Sequence, residues 1–260
     1  MKKTLIVANW KMHLNTHEAS TLLHRYHEKI QVHRNIEIVV APSTMSLQPL
    51  SVELDHRKFR LCAQDAYFKD DGPYTGEVSF AMLHDLVHYA LVGHSARRIY
   101  FGENLETVRD KVTAAVRNGI IPIICIGETK EERSAGETKQ VIHDQLTTAL
   151  SNITSEEIET IVIAYEPVWA ISTFDGEKAR PDDMQKAMDY IRFQVKELYG
   201  AAAAEAVRVL YGGSVSDQDV EAYLEIVGCD GVLVGAASLN YAQFAGIVSA
   251  AYSLQHESSD

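Results

Sequence analysis

The chain has 260 residues, 46% of them hydrophobic, and a formal net charge of −12. That is enough apolar material for a sizeable core, and the acidic balance excludes nucleic acid as the expected partner. There is no apolar run long enough to span a membrane, and Met1-Lys2-Lys3 leads into only Thr4 to Ala8 before Asn9, too little for a signal peptide. Cys62, Cys125 and Cys229 are odd in number and lack metal spacing, which points to buried thiols in a cytoplasmic protein.

In chain order, Thr4–Ala8 reads as a first strand, followed by a helix over Thr16–Ile30 with Thr16 as its cap. Ala19, Leu22, Leu23 and Tyr26 fall on one face of that helix. Strands follow at Ile36–Ala41, Phe59–Ala63 and Tyr89–Val92. Asn104–Asn118 reads as a helix with Val108, Val112, Ala115 and Val116 inward, stopped by Gly119. Next come strands Ile120–Ile126 and Thr160–Tyr165, then a helix over Pro181–Tyr199 that starts on a proline tolerated in a first turn. Strands Val207–Tyr211 and Gly231–Val234 complete the set. Most strands are short and apolar nearly throughout, as parallel strands covered on both faces are. No linker rich in Gly, Pro or Ser divides the chain, so residues 1–260 are expected to form one (β/α)8 barrel domain. No G-x-G-x-x-G follows the first strand, which counts against a dinucleotide fold.

Barrel chemistry sits on the loops after the strands, and the polar residues of this chain gather there. Asn9-Trp10-Lys11 follows strand 1, Gly93-His94-Ser95 follows strand 4, and Glu166 ends strand 6. Pro167 after Glu166 forces the chain out of the sheet. Gly212-Gly213-Ser214 follows strand 7 and Gly235-Ala236 follows strand 8. Such small-residue turns leading into helices hold a phosphate through backbone N–H groups without needing an arginine. A lysine, a histidine and a carboxylate beside a phosphate cradle suit proton abstraction next to a carbonyl, with no metal or organic cofactor. His84 and His88, four apart, lack a third ligand with motif spacing, so no metal site is expected. His24 and His27 read as surface or partner-facing, and Cys125 as packing. Glu103 and Glu128 read as partners in ion pairs with arginines.

Several motifs resemble the triosephosphate isomerase family over nearly the full chain. They are Asn9-Trp10-Lys11-Met12, Gly72 to Ser79, Val92-Gly93-His94-Ser95, Phe101-Gly102-Glu103, Cys125 to Thr129, Ala164 to Ile171, Tyr211 to Val215 and Leu233-Val234-Gly235. The resemblance implies interconversion of dihydroxyacetone phosphate and glyceraldehyde 3-phosphate through an enediolate. It makes Glu166 the base, His94 the electrophile and Lys11 the cation near the substrate, with Asn9 supporting Lys11. Ser172, Ser214, Gly235 and Ala236 would meet the phosphate. It also implies a homodimer in which Thr75, on the loop Asp65–Ser79, approaches the partner's Asn9–Lys11 region.

Two departures from the family pattern stand out. Ala96 occupies the position after the His-Ser pair where the family carries a glutamate. The run Ser172 to Pro181 is about two residues longer than the family's lid, and Ser172 replaces a glycine. Such changes suit a paralogue acting on a tetrulose phosphate as an alternative substrate. A non-catalytic barrel acting as a binding protein is a further alternative, which the joint presence of Lys11, His94 and Glu166 argues against.

Overall fold

The computed structural model describes residues 2–31, 33–171 and 178–257. Eight strands close into a barrel in strict sequence order: β1 Thr4–Asn9, β2 Ile36–Ala41, β3 Phe59–Ala63, β4 Tyr89–Val92, β5 Ile121–Ile126, β6 Val162–Tyr165, β7 Arg208–Tyr211 and β8 Gly231–Val234. Every neighbouring pair is parallel, and β1 closes the ring by pairing with both β2 and β8. This is the (β/α)8 barrel that the sequence leads one to expect.

The barrel has two apolar compartments, which is why its strands lack polar alternation. Leu5, Val7, Val39, Leu91, Ile123 and Leu210 point inward and fill the barrel. Ile6, Ala8, Ile38, Val40, Ile124 and Val209 point outward against the helices. Cys62 and Cys125 belong to the inner set, where burial pushes both thiols above their ordinary range. That is the packing role read from sequence.

Most corrections are at element ends. The strand read from Thr160 begins only at Val162, because Glu157–Thr160 forms a 3-10 turn. Thr154 and Glu157 cap that turn reciprocally, at 2.8 and 3.3 Å, and hold Thr160 outside the sheet. The first helix runs Thr16–Lys29 and its cap is Asn15, not Thr16. Asn15 Oδ1 accepts from the Glu18 N–H at 3.0 Å while Glu18 accepts from the Asn15 N–H at 2.8 Å. The helix Leu105–Arg117 is capped by Asn104 and followed by Gly119 in the left-handed region, φ 68°. Its buried face includes Lys111 and Ala114, whereas Val116 is only half-buried.

Lys111 is buried because it is doubly paired. Its ammonium donates to Asp65 at 2.6 Å and to Glu103, and Arg97 bridges the same two carboxylates. Glu103 therefore takes the ion-pair role expected of it. Glu128 does not. Fully buried, it accepts from the Tyr165 hydroxyl at 2.9 Å and from Trp169 Nε1 at 3.0 Å, and it has no arginine partner among the described residues. His27 stacks on Phe59 with ring centroids 5.1 Å apart, so it packs into the protein while His24 stays exposed.

Candidate active site

Lys11 follows β1 in an unusual backbone state, φ 50°, which a non-glycine residue adopts only when its surroundings fix it. Two contacts do so. Asn9, the last residue of β1, accepts from the Lys11 N–H at 3.0 Å, and Gln64 donates from Nε2 to the Lys11 carbonyl at 2.8 Å. The same Gln64 amide donates to the Ala41 carbonyl at 2.9 Å, tying the loop after β1 to the end of β2. The Lys11 side chain ends beside the loop after β8: a β-carbon built on Gly235 would sit 3.9 Å from Lys11 Nζ. Burial lowers the Lys11 pKa, opposed by the Glu166 carboxylate.

His94 caps the helix Ser95–Phe101, and its Nδ1 accepts from the Ala96 N–H at 3.2 Å. An accepting Nδ1 places the ring proton on Nε2. Nε2 lies 3.2 Å from Glu166 Oε1, which places the base beside the imidazole. Burial lowers the His94 pKa, opposed by Glu166 and reinforced by Lys11 and Arg98. The imidazole is therefore neutral at pH 7, with one N–H aimed into the site.

Glu166 directly follows β6 and is 1% exposed. Its backbone N–H donates to the Ile126 carbonyl at 2.7 Å, and its Oε2 accepts from the Ser95 N–H at 3.1 Å. Glycines give it room. A β-carbon on Gly212 would stand 2.8 Å from Glu166 Cγ, and one on Gly127 would stand 2.0 Å from the Glu166 carbonyl oxygen. Gly127 also has φ 151° and accepts from Arg98 at 3.2 Å, while Arg98 holds the Gly93 carbonyl at 2.9 Å. Arg98 thus joins the backbone before His94 to the backbone beside Glu166.

One pocket is lined by Asn9, Lys11, His94, Glu166, Ser214, Gly235 and Ala236 together with Gly212 and Gly213. Seven residues singled out from sequence on five different loops thus meet. Ser214 meets the pocket differently from the reading, since its backbone N–H donates to the Ala170 carbonyl at 3.0 Å in this arrangement. Ser172 lies outside the described residues, as does the lengthened run to Glu177. Thr75 is exposed on its loop and does not border the pocket. No group of three or more His, Cys, Asp or Glu is placed to hold a metal among the described residues.

Ala96 lines a second cavity on the other side of Lys11, shared with Met12, Gln64, Asp65, Arg97 and Phe101. Asn9, Lys11 and His94 line that cavity too, so Ala96 stands behind the Lys11 side of the site rather than in the pocket that holds Glu166. Sequence reasoning missed Gln64, Arg98 and Glu128. Gln64 was within reach of the same rule that found the others, because it directly follows β3.

A neutral histidine, a carboxylate and an ammonium on one concave surface at the C-terminal end of a (β/α)8 barrel define a class of acid–base barrel enzyme. The sequence model of the triosephosphate isomerase family matches residues 4–251. A triosephosphate isomerase of Citrifermentans bemidjiense is 43% identical over 249 residues, covering 95% of this chain and 98% of the relative. That of Symbiobacterium thermophilum is 43% identical, covering 96% and 98%, and that of Dehalococcoides mccartyi is 38% identical, covering 99% and 100%. The chain belongs to the triosephosphate isomerase family, and it is an isomerase.

Proposed function

We propose that the chain interconverts dihydroxyacetone phosphate and glyceraldehyde 3-phosphate, with Glu166 moving a proton between adjacent carbons. The observation that carries this reading is the convergence of Glu166, the His94 Nε2–H and Lys11 on one small pocket. Glu166 takes a proton from C1 of dihydroxyacetone phosphate. The C–H electrons form the C1–C2 double bond, and the carbonyl electrons move onto the C2 oxygen. The His94 N–H and the Lys11 ammonium stabilise that developing oxyanion. After a proton passes from the C1 oxygen to the C2 oxygen, Glu166 returns its proton to C2. Triosephosphate isomerase is itself the established example of a neutral histidine tuned for this electrophilic role.

Glu166 Oε1 stands 3.2 Å from His94 Nε2 in this structure. A substrate carbonyl reaches the His94 N–H only after the carboxylate has turned away from it, which brings the base toward the substrate carbons. The loops after β7 and β8, with Ser214, Gly235 and Ala236, suit the phosphate, and Ser172 is proposed as a further backbone contact. Lys11 supplies the local positive charge that an anionic substrate needs near a protein of net charge −12.

A homodimer completes the proposal. Met12 is 95% exposed and Phe101 67%, both beside the cavity at Ala96, and Thr75 is exposed on a loop braced by the contact of Tyr67 with Tyr74, ring centroids 4.7 Å apart and tilted. Thr75 of one subunit is proposed to enter that cavity in the other, with Asp65 and Arg97 supplying the polar groups that Ala96 lacks. Three unpaired cysteines agree with a cytoplasmic setting, and no helix among the described residues is long and apolar enough to cross a membrane. The direct test is purified protein with glyceraldehyde 3-phosphate, following ketose formation. Rapid conversion supports the reading, and absence of conversion at micromolar enzyme overturns it. Sedimentation of a fully active monomer would remove the dimer.

A further inference from the structure

The N-terminal end of the barrel, opposite the catalytic pocket, holds a second polar concavity that isomerisation does not use. It is a cavity of about 180 Å³ whose lining includes Lys3, Arg34, Arg57, Lys58 and Arg60, with His33 and His56. Glu37 is the one carboxylate in that lining, and it is already committed. Its Oε2 accepts from Arg208 at 2.8 Å and its Oε1 from the Tyr89 hydroxyl at 2.8 Å. Asp55, outside the lining, accepts from the Arg57 N–H at 3.0 Å and pairs with Arg57 Nε at 3.4 Å. Lys3, Arg34 and Lys58 form no ion pair among the described residues.

This is an unusual concentration for a chain with 24 basic and 36 acidic residues. Five cations and one carboxylate line the cavity, and that carboxylate is paired with Arg208. Neighbouring titratable groups register the excess. His27 is lowered by burial and then by Lys58, and His88 by burial and then by Arg60 and His56. Packing like charges around a concavity costs stability through mutual repulsion, and a bound anion relieves that cost.

We propose that this cavity binds a small, multiply charged phosphate anion of the oligophosphate class. Guanidinium groups present forked donors that match phosphate oxygens; Arg34, Arg57 and Arg60 bring three to one cleft, Arg57 through the nitrogens not on Asp55 and Arg60 through those not on the His56 carbonyl. The volume suits one or two phosphate groups, and the acidic remainder of the surface repels a long polyanion such as nucleic acid.

The test is calorimetric titration of wild type and of the double variant Arg34→Ala/Lys58→Ala with inorganic pyrophosphate at low salt. Inorganic sulfate serves as a less charged comparator. Arg34 is exposed and Lys58 half-buried, both far from the pocket that holds Glu166, so fold and turnover stay intact. Wild type is expected to bind a pyrophosphate that the double variant loses or binds at least about tenfold more weakly, while inhibition of turnover by pyrophosphate is the same in both. Sulfate binds wild type more weakly at this site, and Arg34→Lys/Lys58→Arg restores pyrophosphate binding. Identical titrations for wild type and the double variant would overturn the proposal, as would binding in wild type that substrate displaces completely.

Discussion

Removing the Glu128 carboxylate is expected to weaken this protein more than its distance from the reacting atoms suggests. Glu128 is fully buried and serves two donors, the Tyr165 hydroxyl at 2.9 Å and Trp169 Nε1 at 3.0 Å. Tyr165 ends β6 and is 2% exposed; Trp169 lies in the turn Val168–Ala170 and is 4% exposed. Neither donor has water at hand if the acceptor disappears. In Glu128→Ala each stranded donor costs about 1–3 kcal/mol, so the pair costs roughly 2–6 kcal/mol. In a chain of this size each kcal/mol lowers the melting midpoint by about 2–4 °C, so a fall of roughly 10 °C is expected. Glu128→Gln keeps one acceptor oxygen but turns an amide toward the other donor, so it falls between wild type and alanine. The exposed Glu197, replaced by alanine, should stay within about 0.5 kcal/mol of wild type. Thermal and urea unfolding at fixed protein concentration read these differences. A melting midpoint for Glu128→Ala within 2 °C of the Glu197→Ala control, by roughly the scale above, would refute the reasoning. Because Trp169 stands three residues after Glu166, the same variant is also expected to lower kcat.

Three further outcomes are expected. Gly212→Ala should keep the fold and lose most of its turnover, because its β-carbon would lie 2.8 Å from Glu166 Cγ and displace the carboxylate; near-normal kcat would show that Glu166 needs no such room. Stability should rise between pH 6 and 7.5: His94, His27 and His88 all have lowered pKa values, so below the ordinary 6.5 the unfolded chain takes up protons that the folded chain refuses. Asp65, pushed up to about 6 by burial, has the opposite sign, costing stability as pH rises from 3.8 through about 6, and its effect is nearly spent above that. Urea midpoints for wild type and His94→Asn should therefore differ in pH slope, the variant being flatter by up to about 1.4 kcal/mol per pH unit, and equal slopes would contradict a depressed His94. Lys11→Met should reduce kcat/KM by orders of magnitude through both substrate capture and oxyanion stabilisation, and an unchanged value would take Lys11 out of the site.

The strands were legible because each is an unbroken apolar run ended by punctuation. Asn9-Trp10-Lys11, Gly93-His94, Glu166-Pro167 and Gly212-Gly213 all mark a chain leaving a buried sheet. The same ends carry the candidate site, so topology and chemistry were read together. Polar residues whose partners lie far along the chain were not legible. Lys111 sits on a buried helix face only because Asp65 and Glu103 meet it there. Glu128 looks like any acid in a loop until Tyr165 and Trp169 fold over it. The first helix's cap slipped by one residue because Asn15 and Thr16 are both good capping types, and only the reciprocal bond to Glu18 decides between them. Ala96 was placed more surely: it lines a cavity with Lys11 and His94, on the side of the site away from Glu166.

Solvent-deuterium incorporation into dihydroxyacetone phosphate, compared between wild type and Glu166→Gln, tests the central claim most directly. It reports proton removal from C1 whether or not product is released. The account predicts rapid incorporation in wild type and a loss of several orders of magnitude in Glu166→Gln, with substrate binding little changed because the carboxylate acts in the transition state. Incorporation at a similar rate in both proteins, or none in wild type, would contradict Glu166 as the base.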